Sequence, residues 1–199
     1  MLSLIKKINK YDIILASKSP RRIELLKMIG LKFKVYPSNI EEKYQHQLTP
    51  VEYVLKNARE KNEPAALQYP TSLIISADTI VVLKNEILEK PHDKNHAYEI
   101  LKKLNGNTHE VITGFGISTN SFANTIFDYQ VTKVTFRYLS NHEIRAYCNT
   151  DEPLDKAGGY GAQGFGSMLI EKVDGCFYNV VGFPLVKFYI TLRKFLESL

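Results

Sequence analysis

The chain has 199 residues, 44% of them hydrophobic and 24% charged, with 11 Gly and 8 Pro. These proportions exclude a disordered tail, a collagen and a coiled coil, and the length suits one domain, or one two-lobed domain, with a sizeable core. A net charge of +5 is mild: it suits a nucleic-acid surface, an anionic metabolite or no charged partner.

The opening MLSLIKKINKYDIILAS has the superficial look of a signal peptide. Lysines interrupt its apolar stretch, and Ile13-Ile14-Leu15-Ala16 is too short for the apolar core of one, so the segment reads as an ordinary first strand. Ser19 then caps a helix that Pro20 opens, Ile23, Leu26 and Ile29 stripe and Gly30 ends. Thr49-Pro50-Val51-Glu52 is a capping box, followed by Val51, Val54, Leu55 and Ala58 at helical spacing, with Lys61 closing that helix. Leu73-Ile75 and Ile80-Leu83 read as strand, interrupted by Ser76-Ala77-Asp78-Thr79, and Lys84-Asn85-Glu86 as a hairpin turn.

Ala97, Ile100, Leu101 and Leu104 mark a helix ending at Gly106. Val111 to Ile117 and Val131 to Tyr138 are rich in β-formers, and Ser140-Asn141-His142-Glu143 is a second capping box. Residues 150–166 form a glycine-rich loop. Met168 to Val173 is expected as a strand, with Cys176 to Val181 as its partner across an Asp174-Gly175 turn. An amphipathic helix from Leu185 closes the chain. Strands and helices mixed in this way predict an α/β or α+β domain with a mixed sheet. No stretch approaches the roughly 18 apolar residues of a membrane helix. Cys148 and Cys176 show neither CxxC nor metal-ligand spacing, which suits a reduced, cytoplasmic interior.

Four places carry candidate chemistry. Ser17-Lys18-Ser19-Pro20-Arg21-Arg22 sets two arginines in the first turn of a helix, where the dipole disfavours cations unless a bound phosphate reverses the sign; a capped helix with carboxylate-paired arginines is the plainer alternative. Asp78 lies between apolar runs, so its carboxylate needs a partner such as a metal, a lysine or water, unless it bonds its own turn. Glu41, Glu42, Lys61 and Lys90 gain meaning only if the fold carries them to Asp78, since each alone suits a solvated side chain. In the loop Glu152 to Gly166, Gly159-x-Gly161-x-x-Gly164 is a weak dinucleotide match with no βαβ unit around it. Gln163 there offers the donor and acceptor that a uracil or thymine edge needs, or a bond to its own loop.

Taken in order, Leu15-Ala16-Ser17-Lys18-Ser19-Pro20-Arg21-Arg22, Ser76-Ala77-Asp78-Thr79, Lys90-Pro91, Thr113-Gly114, the Glu152–Gly166 loop and Asn179-Val180-Val181-Gly182-Phe183-Pro184 resemble the Maf family of nucleoside triphosphate pyrophosphatases, in its dTTP/UTP branch. The resemblance covers nearly the whole chain. It implies one domain, 1–199, of α/β class: a long mixed β-sheet flanked by helices, in two lobes around a deep cleft, and often a homodimer. It implies hydrolysis of a nucleoside triphosphate to monophosphate and pyrophosphate with a divalent cation, Mg²⁺ or Mn²⁺. By motif position, Asp78 resembles the proton acceptor, and Asp78 with Glu42 the metal-handling pair. Ser17, Ser19, Arg22, Lys61 and Lys90 resemble the phosphate-binding set, and Arg21, Thr79 and Gln163 the positions tied to substrate choice. Two other readings stay open: the same cleft selecting modified purines such as 7-methyl-GTP, and a non-catalytic division regulator binding protein or nucleic acid. The second is disfavoured because no basic run interleaved with aromatics occurs.

Overall fold

A computed structural model describes residues 2–38 and 47–199. In chain order the elements are α1 (Leu2–Ile8), β1 (Ile13–Ala16), α2 (Pro20–Met28), β2 (Lys34–Val35), α3 (Pro50–Gln68), β3 (Leu73–Leu83), β4 (Glu86–Leu88), α4 (Lys94–Leu104), β5 (Thr108–Thr119), β6 (Asn124–Phe136), α5 (Asn141–Cys148), β7 (Ile170–Asp174), α6 (Phe177–Val181) and α7 (Leu185–Glu197), with 3₁₀ turns at Ala157–Gly159 and Gly164–Leu169. The described strands form one sheet in the order β2-β1-β3-β5-β6-β7, with β4 on β3. It is mixed: β1 runs parallel to β2 and β3, whereas β3–β4 and β6–β7 are antiparallel. The expected α/β class with a mixed sheet flanked by helices is what the chain adopts. It divides into two compact units.

The first unit gathers the described residues of Met1–Asp78 with Thr113–Gln130 and Gly182–Leu199. The expected first strand is β1, Ile13–Ala16, buried throughout, but the segment ahead of it is a helix and not an extension of that strand. Residues 2–8 are helical because Ile5 and Ile8 recur at a helical spacing and are buried, while Lys6 and Lys7 sit in the last turn, where the dipole favours cations. Ser19 caps α2 as expected, its hydroxyl accepting from the Arg22 N–H at 3.4 Å. Thr49 and Glu52 close the expected capping box on α3, with Glu52 Oε2 accepting from the Thr49 N–H at 2.8 Å.

Lys61 does not end α3, which runs on through Pro64 to Gln68. Its last turns pack Ala65 and Ala66 against Ile14, Ala16 and Ile74, and this tertiary packing outweighs the proline. Gly114 of β5 lets sheet and helix meet closely: a Cβ there would lie 2.7 Å from the Val54 carbonyl. Phe115, Phe183 and Phe188, all fully buried, complete the core with ring centroids 5.0–6.0 Å apart.

The second unit, Thr79–Ile112 with Val131–Val181, has its own core, including Val81, Leu101, Leu104, Val134, Phe136 and Ile144. Lys84 and Asn85, with φ of 49° and 69°, form the two-residue turn between Leu83 and its partner Glu86. Asp93 caps α4 through the His96 N–H at 2.7 Å, and Ser140 and Glu143 close the second capping box. Cys176 to Val181 is not the strand expected from its composition. Phe177–Val181 is helical, and β7 pairs with β6 instead. The turn buries Asn179, whose amide donates to the Val111 carbonyl (2.9 Å) and the Thr132 hydroxyl (3.0 Å), and an alternating strand would not supply those bonds in the same way.

His109 of β5 is buried in this core, with Nε2 2.6 Å from the Tyr160 hydroxyl. Burial lowers its pKa to about 4 and pushes the Tyr160 phenol upward. A histidine more acidic in the folded state than unfolded gives stability that is complete above the unfolded pKa near 6.5 and falls as pH drops toward 4, because the unfolded chain then binds the extra proton. The chain therefore loses about 2 kcal/mol from this group between pH 7 and pH 5. Urea unfolding at the two pH values checks it: His109→Gln, which does not titrate there, shows a drop smaller by about that amount. An equal drop in both proteins contradicts the assignment.

Candidate active site

In the first unit, Asp78 is 4% exposed on a strand that continues through it. The expected interruption at Ser76–Thr79 is absent because α3 satisfies both polar side chains. The Lys61 ammonium donates to Asp78 Oδ1 at 2.7 Å and the Asn57 amide to Oδ2 at 2.9 Å. Asn57 and Lys61 are one turn apart, so a single helix face presents an amide and a cation to the two oxygens of one carboxylate. Two residues earlier on the same strand, Ser76 donates to the Ala58 carbonyl (2.7 Å) and accepts from the Asn62 amide (3.1 Å). Ser118 of β5 in turn donates to Asn62 Oδ1 at 2.5 Å. Opposite charges at Lys61 and Asp78 offset each other's burial, and the amide fixes the carboxylate's plane.

A second cluster surrounds the start of α2. Ser17 Oγ accepts from the Ser19 N–H at 3.2 Å and from Arg22 Nη1 at 3.1 Å, while Arg22 Nε donates to the Gly182 carbonyl at 3.0 Å. The guanidinium is therefore buried and held in one orientation, although it sits at the positive end of a nine-residue helix. The parallel register pairs Ala16 with Ser76. Ser17 thus follows β1 at the level where Ala77 and Asp78 follow Ser76, on neighbouring strands about 4.8 Å apart. Arg21 is half-buried in the same first turn of α2.

The remaining expected residues lie elsewhere. Thr79 is half-buried and, with the exposed Lys90 and Gln163, belongs to the second unit. There the Gly158 N–H donates to the Glu89 carbonyl at 3.2 Å, so the segment after β4, which carries Lys90, is tied to the loop that carries Gln163. Glu42 lies outside the described residues. Asn57 is the residue sequence reasoning missed. Its signal was present: carrying the Val51, Val54, Ala58 periodicity onward lands on Lys61 and Asn62 at core-facing positions, and Asn57 is one turn before Lys61.

A family model, that of the Maf-like proteins, matches residues 12–195. The chain belongs to the Maf family. Its relatives within the family include proteins named dTTP/UTP pyrophosphatase from Caldicellulosiruptor saccharolyticus (45% identical over 92% of this chain and 94% of that one), Dictyoglomus thermophilum (44%, 96% and 99%) and Bacillus velezensis (43%, 92% and 96%). Among solved structures, the Ham1 protein of Staphylococcus aureus superposes with a TM-score of 0.53 at 17% identity, covering 94% of this chain and 98% of that one, a likeness of fold.

The Maf resemblance implies a divalent cation, and the donors can be tested against it. Among the described residues no three His, Cys, Asp or Glu side chains gather into a metal cage. Asp78 supplies one hard, buried carboxylate, and each of its oxygens accepts one hydrogen bond from α3 and keeps a second lone pair for a ligand. This fits Mg²⁺ or Mn²⁺ of the kind held by one or two carboxylates together with substrate phosphates. No helix among the described residues is long and apolar enough to cross a membrane.

Proposed function

We propose that this Maf protein hydrolyses dTTP and UTP to the monophosphate and pyrophosphate. The observation that carries the reading is the buried Asp78 carboxylate, gripped at both oxygens by Lys61 and Asn57, in a chain more than 40% identical to proteins named for that activity. Residues 1–199 act as one functional domain in this reading, working in the cytoplasm, and a homodimer is its expected assembly.

Water attacks the α-phosphorus, its proton passes to Asp78, and the bond from that phosphorus to the bridging oxygen breaks to release pyrophosphate. Lys61, already 2.7 Å from Asp78, Arg22 and Lys90 offset the charge that collects on the phosphates. Ser17, Ser19 and the N-terminus of α2 add hydrogen-bond donors and a favourable dipole. Asp78 and Glu42 are the residues that would hold a divalent cation, Mg²⁺ or Mn²⁺, which would supply further neutralisation of the triphosphate. Arg21, Thr79 and Gln163 select the base, Gln163 through an amide that can match the donor and acceptor of a pyrimidine edge.

A panel of nucleoside triphosphates with Mg²⁺ or Mn²⁺ and pyrophosphate detection tests the reading. The expected result is kcat/KM for dTTP and UTP at least about tenfold above GTP and 7-methyl-GTP, the low end of what pocket contacts discriminate. Preference for 7-methyl-GTP overturns the substrate, and no hydrolysis of any member overturns the activity.

A further inference from the structure

The second unit contains a carboxylate that the proposed chemistry does not use. Glu152 stands at the start of the loop whose far side carries Gln163, and it closes that loop on itself. Its Oε2 accepts from the Phe165 N–H at 3.0 Å and its Oε1 from the Gly166 N–H at 3.2 Å. The near strand of the loop is fixed as well: the Glu152 carbonyl accepts from the Lys156 ammonium at 2.5 Å, and Lys156 pairs with Asp155 at 2.6 Å. One side chain thus ties residue 152 to residues 165 and 166, and everything between them is held by both ends.

The residue between Gln163 and this clamp is Gly164, at φ +64°, a left-handed conformation that favours glycine. A Cβ there would lie 3.1–3.2 Å from the two Glu152 oxygens, so the turn passes tightly over the carboxylate. Gln163 itself is extended and exposed, one residue before the turn. Its backbone direction is set by where residues 164–166 are held. A charged acceptor serving two backbone N–H groups is stronger than a neutral one and fixes direction as well as distance.

We infer that Glu152 is a positioning residue for nucleotide selection: its carboxylate freezes the Gly164 turn and so aims the Gln163 amide at the base. The inference rests on the reading of Gln163 as a base-selecting residue. Glu152→Gln keeps size and shape but replaces one accepting oxygen with an NH₂ group that cannot accept an N–H. The ratio of kcat/KM for dTTP over GTP then falls at least about fivefold, with the larger part in KM for dTTP, as expected for loss of a charge-assisted bond. A purely structural role would lower the melting temperature and slow all nucleotides alike, leaving the ratio where it was, and that result overturns the inference.

Gln163→Ala run in parallel separates the two ideas. If it lowers the ratio while Glu152→Gln does not, the positioning role is wrong and the base-reading role stands. If Gln163→Ala leaves the ratio unchanged, both fall. The double variant shows no further drop beyond Gln163→Ala, because the clamp acts through Gln163; an additive drop contradicts this. Hydrogen exchange in the unaltered protein keeps the test independent of how the variants fold. The Phe165 and Gly166 amides exchange at least about tenfold more slowly than an unbonded exposed amide, and free exchange at both overturns the clamp.

Discussion

Replacing Asp78 by Asn lowers kcat for dTTP at least about a hundredfold, the lower range for removing a general base. The substitution is nearly isosteric, and the new amide oxygen can still accept from Asn57, which donates to Oδ2 at 2.9 Å. What disappears is the charge. Lys61 then lies beside a neutral amide with its side chain only 10% exposed. Breaking a buried ion pair by neutralising one member costs about 3 kcal/mol, so Asp78→Asn loses stability as well as rate. The two effects separate in the double variant Asp78→Asn, Lys61→Met. Removing both charges returns most of the stability, as measured by urea unfolding, because a buried ion pair exchanged for neutral groups is often neutral in energy. It does not return the rate. Near-normal dTTP hydrolysis by folded Asp78→Asn would remove this carboxylate from the reaction.

Arg22→Met has the next largest effect, a fall in kcat of about a hundredfold, the scale for losing one fixed donor to transition-state charge. Arg22 is 8% exposed and its guanidinium is anchored by Gly182 and Ser17, so it is oriented before any phosphate arrives. Arg22→Lys keeps the charge but cannot reproduce the planar fork, so it recovers only part of the loss. Steady-state kinetics with dTTP checks both. If Arg22→Met stays within about threefold of the parent kcat, the side chain merely ties α2 to the Gly182 segment.

Local signals predicted the elements that local chemistry controls. The caps at Ser19, Thr49 and Ser140 and the two-residue turn at Lys84-Asn85 depend on neighbours within four residues, and all are where the residues imply. The failures are tertiary. β3 reads as broken because Ser76 and Asp78 look wrong in a buried strand, until α3 brings Asn57, Lys61 and Asn62 across. Phe177–Val181 reads as a strand from its β-formers, until Asn179 is needed by Val111 and Thr132.

The candidate site was legible in the same uneven way. Asp78 stood out as a carboxylate among apolar residues, and Lys61 through the family resemblance. Asn57 did not, since an isolated asparagine on a helix carries no signal until its turn is placed against β3. Glu152 is visible in the sequence only as part of a motif; its grip on residues 13 and 14 positions away is set by how the loop folds back.

In the proposed reaction water adds to the α-phosphorus of the nucleotide and Asp78 promotes the step. Turnover of dTTP in ¹⁸O-enriched water, with Mg²⁺ present and the products resolved by mass, tests it most directly. One ¹⁸O is expected in dTMP and none in pyrophosphate. Label in the pyrophosphate, or release of inorganic phosphate with dTDP, places the attack on another phosphorus and overturns the proposed reaction.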